Sequence, residues 1–207
     1  EITYGDWSSD VCSSDLRLSG LVEARRKMVD RRTGSVNALK HLLKSYFPLS
    51  LKVGGEDLYA PLMLDLLTRW PDLASLKAAR FGVLKKFFYD HNVRRPGQVE
   101  KRLEQIKEAL PLTTDEAVIS VAVSEVQALV DELNVIQKHI GKLEGQIAEA
   151  FKAHPDSNLF RDLPGAGPAL APRLLVALGS DRSRFPDPQS LQKYSGIAPV
   201  REKSGSR

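Results

Sequence analysis

Cysteine is almost absent from this 207-residue chain: Cys12 stands alone, which excludes an internal disulfide and a cysteine-based zinc site. The four histidines, His41, His91, His139 and His154, fall on separate predicted elements, so a histidine zinc cluster is not expected either. No apolar run is long enough to span a membrane, and no secretory signal pattern is present, so a cytoplasmic protein is the default expectation. A phosphate-binding P-loop, a dinucleotide fingerprint and a nucleophile elbow are all missing. Acidic residues are scattered along predicted helix surfaces, with no pair suited to hold a divalent metal, so no metal ligands are assigned. What remains is 42% hydrophobic and 27% charged, with a formal charge of +4, the composition of an ordinary globular protein with a mild basic excess.

Residues 1–16 stand apart. They carry four acids and no Lys or Arg, repeat Ser-Ser-Asp, and lack helical periodicity. They resemble translated sequencing-adaptor sequence and no Met starts them, so they are expected to be a non-native scar, set aside from the fold. Without them the formal charge rises to +8.

Residues 17–46 are expected to form a basic amphipathic helix ended by Pro48. Leu21, Val22, Met28, Val29, Val36, Leu39, Leu42, Leu43 and Phe47 give its apolar face. Arg17, Arg25, Arg26, Lys27, Arg31, Arg32, Lys40 and Lys44 oppose only Glu23 and Asp30, a net +6 that makes Arg25, Arg26, Arg31 and Arg32 candidates for nucleic-acid contact. Residues 56–110 read as three or four short helices, with a break at Trp70-Pro71-Asp72 and Asp72 as N-cap. Leu73, Leu76, Phe81, Leu84, Phe87 and Phe88 are assigned to a small core rather than to a base-stacking surface. Arg94, Arg95, Lys101 and Arg102 read as surface charge, with a second phosphate-facing patch as the alternative.

The clearest periodicity lies at 113–154. Ile119, Ala122, Val126, Leu129, Leu133, Ile136, Ile140, Leu143, Ile147 and Ala150 alternate spacings of three and four, a heptad seam that argues an acidic coiled coil of net −4. Phosphate would be repelled from such a helix. Its partner is expected to be protein, either another subunit, giving a homo-oligomer, or the basic helix of the same chain. Gly141 and Gly145 would allow close helix approach or bending, each costing about 1 kcal/mol relative to Ala.

From residue 155 the chain is basic again. Leu163-Pro-Gly-Ala-Gly-Pro-Ala-Leu-Ala-Pro-Arg-Leu-Leu reads as helix, tight glycine turn and second helix. Gly165 and Gly167 are expected where a side chain would obstruct the turn. Ala169, Leu170, Leu174, Leu175 and Leu178 follow at helical spacing. Free N–H groups at the start of that helix, together with Arg173, would suit an anion such as a DNA phosphate. Gly179 is placed to end the helix, and Asp187-Pro188 to start a short one reaching Gly196. The last stretch, with Ser204 between Lys203 and Gly205 and with Arg201 and Arg207 near, sets a serine hydroxyl among cations that would steady a developing phosphate charge.

The glycine-turn sequence, Asp181-Arg-Ser-Arg-Phe-Pro, Tyr194-Ser-Gly-Ile-Ala-Pro-Val and Ser204-Gly205 together resemble the C-terminal domain of insertion sequence 110 family transposases. Arg25-Arg26, the stretch Tyr46-Phe47-Pro48, Arg69-Trp70-Pro71 and the acidic helix are similar to that family too, so the resemblance covers about residues 20–207. It implies DNA cleavage and rejoining through a serine nucleophile guided by a structured RNA, with an N-terminal RuvC-like domain whose four acids bind Mg²⁺. By motif position Ser204 is the nucleophile, with Ser206 next and Ser195 third; Arg201 and Lys203 join the nucleic-acid-binding candidates. The RuvC-like strands would precede residue 17, so the chain is expected to be an all-α, inactive piece: a basic helical region to 112, the coiled coil at 113–154, and the first part of the serine domain at 155–207. The competing reading is a non-catalytic helix-hairpin-helix adaptor that binds DNA and dimerises through the coiled coil.

Overall fold

The computed structural model describes residues 13–198, and the described residues contain helices and no strands. In chain order they are α1 (Ser13–Tyr46), α2 (Ser50–Val53), α3 (Pro61–Arg69), α4 (Leu73–Ala78), α5 (Phe81–Asp90), α6 (Gln98–Glu108), α7 (Glu116–Lys152), α8 (Ser157–Arg161), α9 (Ala171–Leu178) and α10 (Pro188–Tyr194), with one 3₁₀ turn at Arg182–Arg184. The all-α expectation holds. One boundary differs: α1 begins at Ser13, so Ser13–Leu16, read from sequence as lying outside the fold, continue the basic helix toward its N-terminus.

The chain divides into two compact units, Ala24–Leu143 and a second made of Glu1–Glu23 with Glu144–Arg207. α7 gives most of its length to the first unit and its last turns to the second.

In the Ala24–Leu143 unit, apolar residues at helical spacing converge on one core. Leu39, Leu43 and Phe47, Met63, Leu66 and Leu67, Leu76, Phe87 and Phe88, and Val126 and Leu133 are all essentially inaccessible to solvent. Trp70 and Phe88 both meet Phe87 edge-on, at centroid distances of 5.1 and 5.6 Å, the favoured arrangement of aromatic quadrupoles. Helix ends are set by local chemistry. Pro48 disfavours the helical conformation at Phe47, and α1 stops at Tyr46. Asp72 caps α4 as its sequence suggested, its carboxylate accepting from the Ser75 N–H at 2.8 Å in a capping box. Gly54 is closely packed, since a Cβ there would lie 2.9 Å from the Ser50 carbonyl oxygen and 2.0 Å from the sulfur of buried Met63. Tyr46 is buried and donates its hydroxyl to the Pro71 carbonyl at 2.6 Å; burial, and then the nearby Asp72 charge, push its phenol well above the ordinary tyrosine range.

All ten seam positions of α7 are buried or half-buried within the chain itself. Ala122, Val126 and Leu133 belong to the core shared with α1 and α3–α6, whereas Ile147 belongs to the core of the other unit. Among the described residues, helices of the same chain thus pack on this part of the seam, the basic helix α1 among them. Gly141 and Gly145 face open space, so neither serves close packing among the described residues.

The second unit is smaller. Leu18, Ile147, Phe160, Ala166, Ala171 and Leu175 form its core, with Phe151, Leu174 and Leu178 half-buried around them. α8 and α9 pack against each other across the turn that joins them. α10 buries none of its residues fully. It is held by Asp187, which accepts from the Ser190 N–H at 2.7 Å, and by Tyr194, whose hydroxyl donates to the Ala177 carbonyl at 2.9 Å. The Asp187 carboxyl is held below the usual carboxylate range by hydrogen bonds from the Ser190 backbone and then its side chain.

Candidate nucleic-acid interface

The segment from Ser157 to Leu178 folds as the sequence motif suggests in order, helix then glycine turn then helix, but its details differ. Gly165 sits at φ +80°, a conformation that L side chains rarely adopt. Gly167 lies outside that region, and a Cβ at either glycine would meet nothing within 4 Å. The expectation that a side chain would obstruct the turn is therefore corrected: among the described residues, Gly165 is demanded by backbone conformation alone, and nothing demands Gly167. Ala166 between them is buried, anchoring the turn on the Leu18–Leu175 core.

The start of α9 also offers fewer free donors than expected. Leu170 and Ala171 both donate to the Gly167 carbonyl at 3.0 Å, and Pro172 has no N–H. That leaves the Arg173 N–H in the first turn, beside its own exposed guanidinium. Ala169 and Leu170 precede the helix and are exposed, whereas Leu175 is buried and Leu174 and Leu178 half-buried. An anion at this turn would meet one backbone donor, one guanidinium and a bare Gly167 backbone, rather than a full ring of amides.

The cations on the basic face of α1 differ in exposure. Arg31 is exposed. Arg26 is exposed and forms a long surface pair with Asp30 at 3.9 Å, a geometry worth little in water. Arg25 is half-buried. Arg32 departs from its assignment: its guanidinium donates to Gln137 Oε1 at 3.0 Å and lies 4.0 Å over the Tyr59 ring, so it braces α1 against its own unit. Ser204, Ser206, Arg201 and Lys203 lie outside the described residues; Ser195 is exposed just beyond α10.

A Ser-His-Asp grouping that sequence reasoning missed occurs where α1 begins. Buried His154 approaches Asp15 Oδ1 through Nε2 at 2.5 Å, and the Ser180 hydroxyl donates to the same oxygen at 3.0 Å. The Asp156 N–H donates to His154 Nδ1 at 3.1 Å. Nδ1 is thus the acceptor and Nε2 carries the proton toward the carboxylate, leaving no basic nitrogen to activate Ser180. The grouping is a buried polar clasp, not a nucleophile triad. Among the described residues, no three His, Cys, Asp or Glu side chains gather to hold a metal, so the Mg²⁺ implied by the resemblance finds no ligand set there and no step is routed through it.

Residues 157–207 match the model of the transposase IS116/IS110/IS902 family. Over 198 residues the chain is 28% identical to the mini-circle putative transposase for IS117 of Streptomyces coelicolor, an alignment covering 90% of this chain and 46% of that protein. It is also 28% identical over 194 residues to the 43.6 kDa protein of insertion element IS110 from the same organism, covering 91% and 46%. An 84-residue stretch is 31% identical to the 42 kDa protein of IS900 from Mycobacterium paratuberculosis, covering 41% of this chain and 21% of the relative. The chain spans about half the length of the first two relatives. No solved structure matches it.

Proposed function

We propose that this chain supplies the serine-bearing part of a transposase that cuts and rejoins DNA strands. The observation that carries the reading is the family match at 157–207, which includes both the glycine turn and the basic sequence around Ser204. Ser204 Oγ attacks a backbone phosphorus and loses its proton as one P–O bond to a deoxyribose oxygen breaks. The result is a phosphoserine–DNA link and a free sugar hydroxyl. Attack by a different strand's hydroxyl on that phosphorus reverses the step and regenerates Ser204. Arg201 and Lys203 offset the charge that builds on the phosphate oxygens. Gly165, Gly167 and Arg173 hold the backbone of the DNA, or of a structured guide RNA, and Arg25, Arg26 and Arg31 extend the electrostatic contact with that nucleic acid. Mg²⁺ and a RuvC-like acidic domain belong to the full-length assembly that the resemblance implies.

The test is a graft of residues 157–207 into the Streptomyces coelicolor IS117 relative, followed by a transposition assay. Ser204→Ala should abolish transposition and covalent DNA–protein adducts detected by mass spectrometry, while Ser206→Ala retains both. Full activity of the Ser204→Ala graft refutes the assignment.

A further inference from the structure

The aromatic cluster of the Ala24–Leu143 unit is not wholly core. Leu84, Phe87 and Phe88 face inward, but Phe81 is 63% exposed and Tyr89 44% exposed, which corrects the assignment of Phe81 to the core. The two rings stand at positions i and i+8 of α5, with Lys85 midway between them. At 100° and 1.5 Å per residue the three side chains fall within about 80° of arc along about 12 Å of helix. That is the length of three to four nucleotides stacked at about 3.4 Å. The Lys85 ammonium lies 5.9 Å from the Tyr89 ring centroid and 3.6 Å from Glu100 on α6, which steadies it beside the ring.

Cations frame this face. Arg80, just before α5, and Lys86 on it are exposed, and Arg94, Arg95 and Lys101 are exposed on the turn and helix that follow. Among the described residues none of these five is paired with an acid, whereas the acids Glu56, Asp57 and Asp90 gather around a separate cavity with His91 and Asn92. Exposed rings alone would suit a protein partner. Exposed rings flanked by unpaired cations match a strand whose bases stack while its phosphates run alongside.

We propose that the outer face of α5 is a binding surface for single-stranded nucleic acid, with Phe81 and Tyr89 as stacking platforms and Lys86, Arg94 and Arg95 as phosphate contacts. This site requires neither Ser204 nor the glycine turn, so it stands independently of the strand-transfer reading. Duplex DNA, whose bases are already stacked on one another, gains nothing from the rings and meets only the cations.

The experiment measures fluorescence anisotropy of the whole chain with labelled oligothymidylate, oligouridylate and a duplex of equal length, at several salt concentrations. Phe81→Ala and Tyr89→Ala should each weaken single-strand binding by about ten-fold or more and leave duplex binding within two-fold. Phe81→Trp and Tyr89→Phe should retain it, and circular dichroism melts should show the variants still folded, because neither side chain is part of the buried core. Replacing Lys86, Arg94 and Arg95 by Ser should lower the slope of log affinity against log salt by about 0.7 per cation. Comparing oligothymidylate with oligouridylate shows whether DNA or RNA is preferred. The proposal is overturned if neither single strand binds, if the alanine variants weaken duplex and single strand equally, or if the aromatic replacements fail as the alanines do.

Discussion

Replacing Gly165 and Gly167 in turn by Ala separates what the turn needs from what a ligand needs. Gly165 sits at φ +80°, and an alanine there must occupy the left-handed region at a cost of roughly 1–2 kcal/mol. No steric term adds to this, because a Cβ at Gly165 meets nothing within 4 Å. The alanine also restricts the unfolded chain, which offsets about 0.4–1 kcal/mol, so the net loss should be near 1 kcal/mol. Gly167 carries no such conformational demand and faces open space, so Gly167→Ala should be neutral or should stabilise by up to about 1 kcal/mol. Hydrogen exchange of the α8 and α9 amides in native buffer, supported by urea denaturation, reads the difference at the turn itself. Salt-dependent DNA binding reads the second half: Gly167→Ala should weaken affinity although the fold is intact, because the new methyl occupies the place where a phosphate approaches the backbone. Equal destabilisation by both alanines would refute the conformational argument. A Gly167→Ala protein with unchanged DNA affinity would remove Gly167 from the interface.

Two further outcomes follow from packing and charge. Leu133 is fully buried within one chain, so Leu133→Ala should destabilise the Ala24–Leu143 unit by about 2–5 kcal/mol in a urea titration, and sedimentation velocity should show no change in association state other than that due to unfolding. Dissociation of a folded oligomer would instead place the seam between subunits. Hydrogen bonds from Ser190 depress the Asp187 carboxyl, so the cap stabilises α10 above the ordinary aspartate pKa of about 3.9 and loses that contribution as pH falls through the lower, folded value. Amide exchange in α10 should therefore accelerate over that acid window in the native protein, with no such pH step in Asp187→Asn.

Much of the backbone could be read from local chemistry, because its determinants are near in sequence. Asp72 with Ser75, Asp187 with Pro188 and Ser190, and Pro48 after Phe47 are contacts within a turn, and the periodicity of α7 extends over its whole length. Long-range contacts were not legible. Arg32 looked like any other cation of a basic face until Gln137, 105 residues away, supplied an acceptor. Phe81 kept the spacing of its buried neighbours, yet it starts α5 at the rim of the core, where periodicity carries no information about depth. Ser13–Leu16 lacked a helical pattern, and their place in α1 comes with contacts such as that of Asp15 to His154, 139 residues away. α2, with four residues, is too short to show a period at all. In the turn, two glycines looked equivalent, and only their dihedral angles separate them.

The Tyr46–Pro71 contact gives the protein an optical reporter of its own. The chain has five tyrosines, and ionised phenolate absorbs in the near ultraviolet where the neutral phenol does not. Between the ordinary tyrosine pKa of about 10 and its raised value, Tyr46 stays dark while the unit around it is folded. Its absorbance in alkaline buffer therefore appears only when Phe47, Leu76 and their neighbours part. A stopped-flow pH jump would time the opening of that core without any introduced label.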